Sequence, residues 1–96
     1  MIMTKDEMKD EIRNLAINDY SAFYVGITND VERRLKQHNV KKADLKYKMR
    51  SKESAQDLEE FCLSLGMDGD TGGGNEDSVW VYIYKKTKDS IDSYKD

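Results

Sequence analysis

Apolar positions recur along this chain with two periods, and each change of period marks an element. Met8, Ile12, Leu15 and Ala16 fall at i, i+4, i+7 and i+8. This is one stripe of an amphipathic helix, predicted over 4–18, with Thr4 and Glu7 spaced as a capping box. Its expected role is to cover one side of a sheet. The run YSAFYVGIT, aromatic and β-branched and closing around Gly26, predicts a strand over 20–28. A second helix is predicted over 29–39, with Asn29 as its N-cap and Glu32 three residues on. In ADLKYKMR, Leu45, Tyr47 and Met49 share one face. The segment reads as an edge strand guarded by lysines or as an irregular connection. A third helix is predicted over 52–65, capped by Ser51 or Ser54 and stopped by Gly66. After the glycine-rich stretch MDGDTGGGNEDS comes VWVYIYKK. Its two faces, Val79, Val81 and Ile83 against Trp80, Tyr82 and Tyr84, are both apolar or aromatic, which predicts a central strand. The polar tail is expected to fray.

These elements predict an α/β (α+β) fold: a small antiparallel three-stranded sheet packed with three helices. The chain of 96 residues is read as one domain. Residues 1–21 form its helix and entry, 22–87 its core and 88–96 its tail. The single cysteine, Cys62, excludes an intrachain disulfide and fits a reducing compartment. No apolar run approaches the ~18 residues that a membrane span needs. Lys5, Asp6, Glu7, Lys9, Asp10 and Glu11 interrupt any signal-peptide core. The expectation is a soluble cytoplasmic protein with no membrane partner.

Net charge is −3, but its distribution is uneven. Residues 32–53 carry nine bases and three acids, while the flanking segments carry −3 and −6. Phosphate affinity follows such local islands rather than the whole-chain sum. A solvated basic face is the alternative account.

Helical geometry then selects particular polar groups. Val31 and Leu35 mark the buried face of the second helix, and Arg34 and His38 share that stripe, whereas Arg33 lies opposite. In the third helix Ala55, Leu58, Phe61, Cys62 and Leu65 form the apolar face, Glu59 flanks it and Glu60 points to solvent. An arginine, a histidine and a carboxylate beside core stripes must find partners or line a cleft. A plain Glu–Arg ion pair between helices is the structural alternative to a functional carboxylate.

With these residues placed, YVGITNDVERRLKQH resembles the core motif of GIY-YIG nuclease domains. Tyr24-Val25-Gly26 matches the second half of the family name. Arg34 and His38 match the family's helix positions. SAQDLEE resembles the later helix whose glutamate binds the metal, which makes Glu59 the counterpart. The likeness covers roughly residues 22–84. The family's usual first strand, carrying Gly-Ile-Tyr, is missing from its place. WVYIYKK near the C-terminus resembles it, which suggests a circularly permuted or truncated member. The late strand would then lie antiparallel to the YVG strand and present Tyr82 as the missing tyrosine. Tyr84 aligns less well, and a core aromatic is the plain alternative for Tyr82.

The resemblance implies an endonuclease that hydrolyses nucleic-acid phosphodiester bonds with a divalent cation, Mg²⁺ or Mn²⁺, held at Glu59. It implies Arg34 as the residue that neutralises the phosphoryl oxygens. Tyr24, Tyr82 or His38 would orient or deprotonate water. Arg33, Lys36, Lys41, Lys42, Lys46, Lys48 and Arg50 would contact the backbone of nucleic acid, DNA ahead of RNA. The rival reading is a catalytically inactive, nuclease-like binding or inhibitory protein, favoured by the misplaced first motif and the acidic total. MDGDTGGGNED lacks the twelfth-position glutamate of a Ca²⁺ loop and the lysine of a phosphate loop. It is read as a connection, with Asn75 a minor metal-site candidate. Cys62 is read as inert packing, and Trp80 as a buried residue rather than a base-stacking platform.

Overall fold

A computed structural model of the chain describes residues 3–69 and 78–88. The elements within them are α1 (Lys5–Leu15), a 3-10 turn (Tyr20–Ala22), β1 (Phe23–Thr28), α2 (Val31–Gln37), β2 (Leu45–Lys48), α3 (Lys52–Leu65), β3 (Asp68–Gly69) and β4 (Trp80–Lys85).

Local chemistry sets most boundaries. The Thr4–Glu7 capping box forms in both directions. The Thr4 hydrogen bonds hold the Glu7 carboxyl below its ordinary range. Ser51 caps α3, its side chain accepting from the Ser54 amide, and Gly66 ends that helix with φ +112°, a left-handed conformation that suits glycine. Two expected starts move. The Asp19 side chain accepts from the Ser21 amide, so residues 20–22 form a turn and the strand begins at Phe23. For α2 the N-cap is Asp30, not Asn29. Thr28 Oγ1 accepts from the Asp30 amide, which delays the helix by one residue, and Asp30 Oδ1 accepts from the Arg33 amide at 3.1 Å.

The sheet order is β2-β4-β1-β3. β4 is central as expected, antiparallel to both β1 and β2. The sheet has a fourth strand that the sequence reading missed. Past the left-handed cap at Gly66, Asp68 and Gly69 pair in parallel with Tyr24 and Val25. Lys86, which follows β4, forms an ion pair with Asp68. The remainder of the glycine-rich stretch, with Asn75, and the tail beyond Lys88 lie outside the described residues.

Strand alternation divides the side chains between two layers. Phe23, Val25, Ile27, Tyr47, Val81 and Ile83 meet Met8, Ile12 and Ala16 of the α1 segment and Ala55, Leu58 and Cys62 of α3. Full burial of each large aliphatic side chain is worth about 1.5–3 kcal/mol. Tyr24, Tyr82 and Tyr84 meet Val31 and Leu35 of α2. Thus α1 and α3 cover one face of the sheet and α2 the other. Among the described residues no helix is long and apolar enough to cross a membrane.

Candidate active site

The α2 face is built around one close approach. In the β1–β4 register Gly26 stands opposite Tyr82. A Cβ at position 26 would lie 2.4 Å from the Tyr82 hydroxyl and 2.5 Å from Cζ, so only glycine admits this ring placement. The Tyr82 hydroxyl thereby reaches His38 Nε2 at 3.1 Å, a buried hydrogen bond across 44 residues of sequence. His38 sits at the C-terminal end of α2, its amide bonded to the Arg34 carbonyl at 3.0 Å. Its side chain is 0% exposed.

Two more rings complete the cluster. Tyr24 lies 4.8 Å from the imidazole, tilted by 52°. Tyr84, directly opposite Tyr24 in the register, stacks on it at 5.2 Å and lies 5.5 Å from His38. Tyr82 and Tyr84 are nearly parallel, 6.4 Å apart. Three phenol rings therefore surround one imidazole in a water-poor layer, where each polar contact is stronger than in solvent. Tyr84 is the member that sequence reasoning ranked behind Tyr82. The signal was its place two residues along the same strand, hence on the same face.

Arg34 lies one helical turn before His38, half-buried, with Nη1 donating to Gln37 Oε1 at 2.8 Å. Glu59 comes from α3 and is 3% exposed rather than merely flanking the apolar face. Cys62, one turn further along α3, has its thiol pushed up to about 12 by burial first and by the Glu59 carboxylate second. That thiol stays protonated and unreactive near neutrality, in line with packing. Tyr47 belongs to a different link. Burial, and next the Glu11 carboxylate that accepts its hydroxyl proton, push this phenol well up, and the contact ties α1 to β2.

The expected backbone contacts Arg33, Lys36, Lys41, Lys42, Lys46, Lys48 and Arg50 are all exposed. Lys36 and Lys41 line one depression of the surface and Lys46 another. Lys46 and Lys48 pair in register with Tyr82 and Trp80, so they lie on the α2 face of the edge strand. Lys36 and Lys41 rim a groove of about 750 Å³ floored by Leu35 and Val40. Arg33 donates to Asn29 Oδ1 at 3.0 Å. Among the described residues there is no group of three or more His, Cys, Asp or Glu residues that could hold a metal ion. A cation at Glu59 would therefore draw most of its ligands from water and phosphate. A lone carboxylate suits Mg²⁺ or Mn²⁺ in that arrangement and does not suit Zn²⁺, which needs several protein ligands.

A family model described as the GIY-YIG catalytic domain matches residues 12–92. That span includes Tyr24, Arg34, His38, Glu59 and Tyr82. No curated protein and no solved structure gives a significant match to the chain.

Proposed function

The chain belongs to the GIY-YIG catalytic-domain family, a family of nucleases that act on nucleic acid, and from that premise we propose that it is a divalent-metal-dependent endonuclease, with DNA ahead of RNA as substrate. The observation that carries this reading is the buried Tyr82–His38 hydrogen bond made possible by Gly26. A fold with no chemistry to perform gains little from sealing a phenol and an imidazole inside an aromatic cluster.

The antiparallel β1–β4 pair, with Tyr82 facing the α2 layer, supports a permuted order of the family's two tyrosine strands. In this reading Tyr82 and His38 act as a unit. His38 takes or returns the hydroxyl proton at Nε2, so that the Tyr82 oxygen can orient and help deprotonate the attacking water. Tyr24 and Tyr84 hold the imidazole in place through their rings. Arg34, the half-buried member nearest solvent, neutralises charge on the phosphoryl oxygens as it builds. Glu59 would hold the cation, which supplies Lewis-acid stabilisation of the phosphate and the leaving oxygen when bound. The exposed lysines position the strand without reading its bases.

The test is a cleavage assay on supercoiled plasmid, linear duplex, single-stranded DNA and structured RNA, with Mg²⁺, Mn²⁺ or EDTA. Metal-dependent cleavage that falls by about 10²–10³ in Arg34→Ala and at least as far in Glu59→Ala is the expected result. No cleavage of any substrate would leave an inactive, nuclease-like binding protein.

A further inference from the structure

Trp80 differs from every other large aromatic on β4. Tyr82 and Tyr84 are sealed, whereas Trp80 is half-buried at the rim of the same cluster. Lys46 lies over its ring, 6.0 Å from the centroid, and Lys48 stands directly opposite it in the β2–β4 register. Beside the indole is a depression of about 210 Å³, bounded by Val31, Glu32, Asp30 and Asn29 at the start of α2. Neither lysine is in an ion pair among the described residues.

We infer that Trp80, with Lys46 and Lys48, forms a stacking platform for one unpaired nucleobase next to the scissile phosphate. The inference rests on the nuclease reading above and adds a substrate class to it: strands with single-stranded or frayed character. Trp80 and Tyr82 are two residues apart on one strand, so their side chains emerge on the same face about 6.7 Å apart along the chain. That is close to one nucleotide step of an extended strand. An aromatic face flanked by cations is the chemistry by which single strands are held, because every base has a π-face and every linkage a charge. The carboxylates of Asp30 and Glu32 repel phosphates. They direct the backbone toward the two lysines and leave the depression to the base. The edge-strand role of the lysines, deterring further strand pairing, does not account for a tryptophan left open beside a base-sized hollow.

Trp80 is the only tryptophan in the chain, so its fluorescence reports this place alone. The full chain in EDTA, where cleavage is blocked, is titrated with a short single strand, its abasic counterpart, a duplex and the matching RNA strand. The expected result is saturable quenching and iodide protection by the single strand, of DNA or RNA, and binding without quenching by the abasic strand. Trp80→Ala should weaken single-strand binding about tenfold, and Trp80→Phe, which keeps the packing, should retain most of it. Lys46→Glu with Lys48→Glu should lower the log–log salt slope by roughly 1.4. Unchanged fluorescence at saturation, equal quenching by the abasic strand, or equal quenching by duplex overturns the proposal. Cleavage is scored separately in Mg²⁺. Cleavage without quenching removes the platform and leaves the nuclease, and quenching without cleavage does the reverse.

Discussion

On the α1–α3 face of the sheet, Val25, Val81 and Ile83 meet Ile12, Leu58 and Cys62, every one of them fully buried. On the α2 face the same two strands present Tyr24, Tyr82 and Tyr84 to His38. The first layer buries mostly apolar surface, with the Tyr47 hydroxyl bonded to Glu11 as a polar exception, so its contribution is chiefly to stability. The second layer buries three hydroxyls and an imidazole, groups whose desolvation is unfavourable unless each is hydrogen-bonded. Phenylalanine and leucine would fill the same space with less risk. One strand pair thus supports two layers with different demands, and the period-2 alternation of β1 and β4 keeps them apart.

The comparison breaks most visibly on the first face. Leu58 is fully buried between α3 and the sheet, and Leu58→Ala should cost about 2–5 kcal/mol of stability by urea unfolding. Activity per folded molecule should stay near the parent's. A large fall in that activity would mean that the two layers are not separable. Gly26→Ala is next. Its Cβ would meet the Tyr82 ring and hydroxyl at 2.4–2.8 Å, and that ring is held among Tyr84 and His38 and cannot swing aside freely. A loss of about 1–3 kcal/mol is expected. Cleavage should fall about a hundredfold at a temperature where the variant remains folded, because Tyr82 is displaced from His38.

Alkaline pH should act on the first face through Cys62. The Cys62 thiol is raised in the folded state, so its contribution to stability is complete below the ordinary thiol value of about 8.5. It is lost as pH rises toward about 12, because the unfolded chain releases the proton first. Between about pH 9 and 10 the stability should fall by up to ~1.4 kcal/mol per pH unit from this one group. Cys62→Ala should flatten that slope, measured as urea midpoints across the window. An identical slope in the variant would place the titrating group elsewhere, with Tyr47 the next to examine above pH 10.

How far the sequence reached follows the same division. α3 was legible to the residue because Ser51 and Gly66 are strong local signals at its two ends. β4 was legible because both of its faces are apolar. β3 was not, since two residues of a glycine-rich stretch carry no periodicity. Their pairing depends on the left-handed turn at Gly66 and on a partner strand more than 40 positions away in sequence. Asn29 and Asp30 are both good caps, and the choice between them is made by Thr28 Oγ1, a local side-chain-to-backbone bond at the strand end that competes with capping by Asn29. At the site, helical spacing and family likeness pointed to Arg34, His38 and Glu59. Spacing alone could not tell which tyrosine of β4 would reach His38, because Tyr82 and Tyr84 share a face. The register opposite Gly26 decides it. The sequence pattern puts Trp80 among the buried residues because the end of a strand and its middle look alike in an alternating run, whereas the first residue of β4 is half-buried.

The smallest expected change in stability comes from Tyr82→Phe, and it sharpens the comparison most. The substitution keeps the ring over Gly26 and its parallel packing with Tyr84, and removes only the hydroxyl that shares a hydrogen bond with His38 Nε2. Lost hydrogen bonding should cost about 0.5–1.5 kcal/mol, less than either apolar truncation or overpacking. If the α2 face exists for chemistry, cleavage should nevertheless fall by 10² or more, since general acid–base groups of this kind contribute about 10²–10⁴. If the hydroxyl serves only to satisfy a buried histidine, stability and activity should move together and by little. A double variant separates the two cases further. His38→Gln combined with Tyr82→Phe should be no slower than the worse single variant when the pair works as one unit. Multiplied defects would mean that the two side chains act on separate steps.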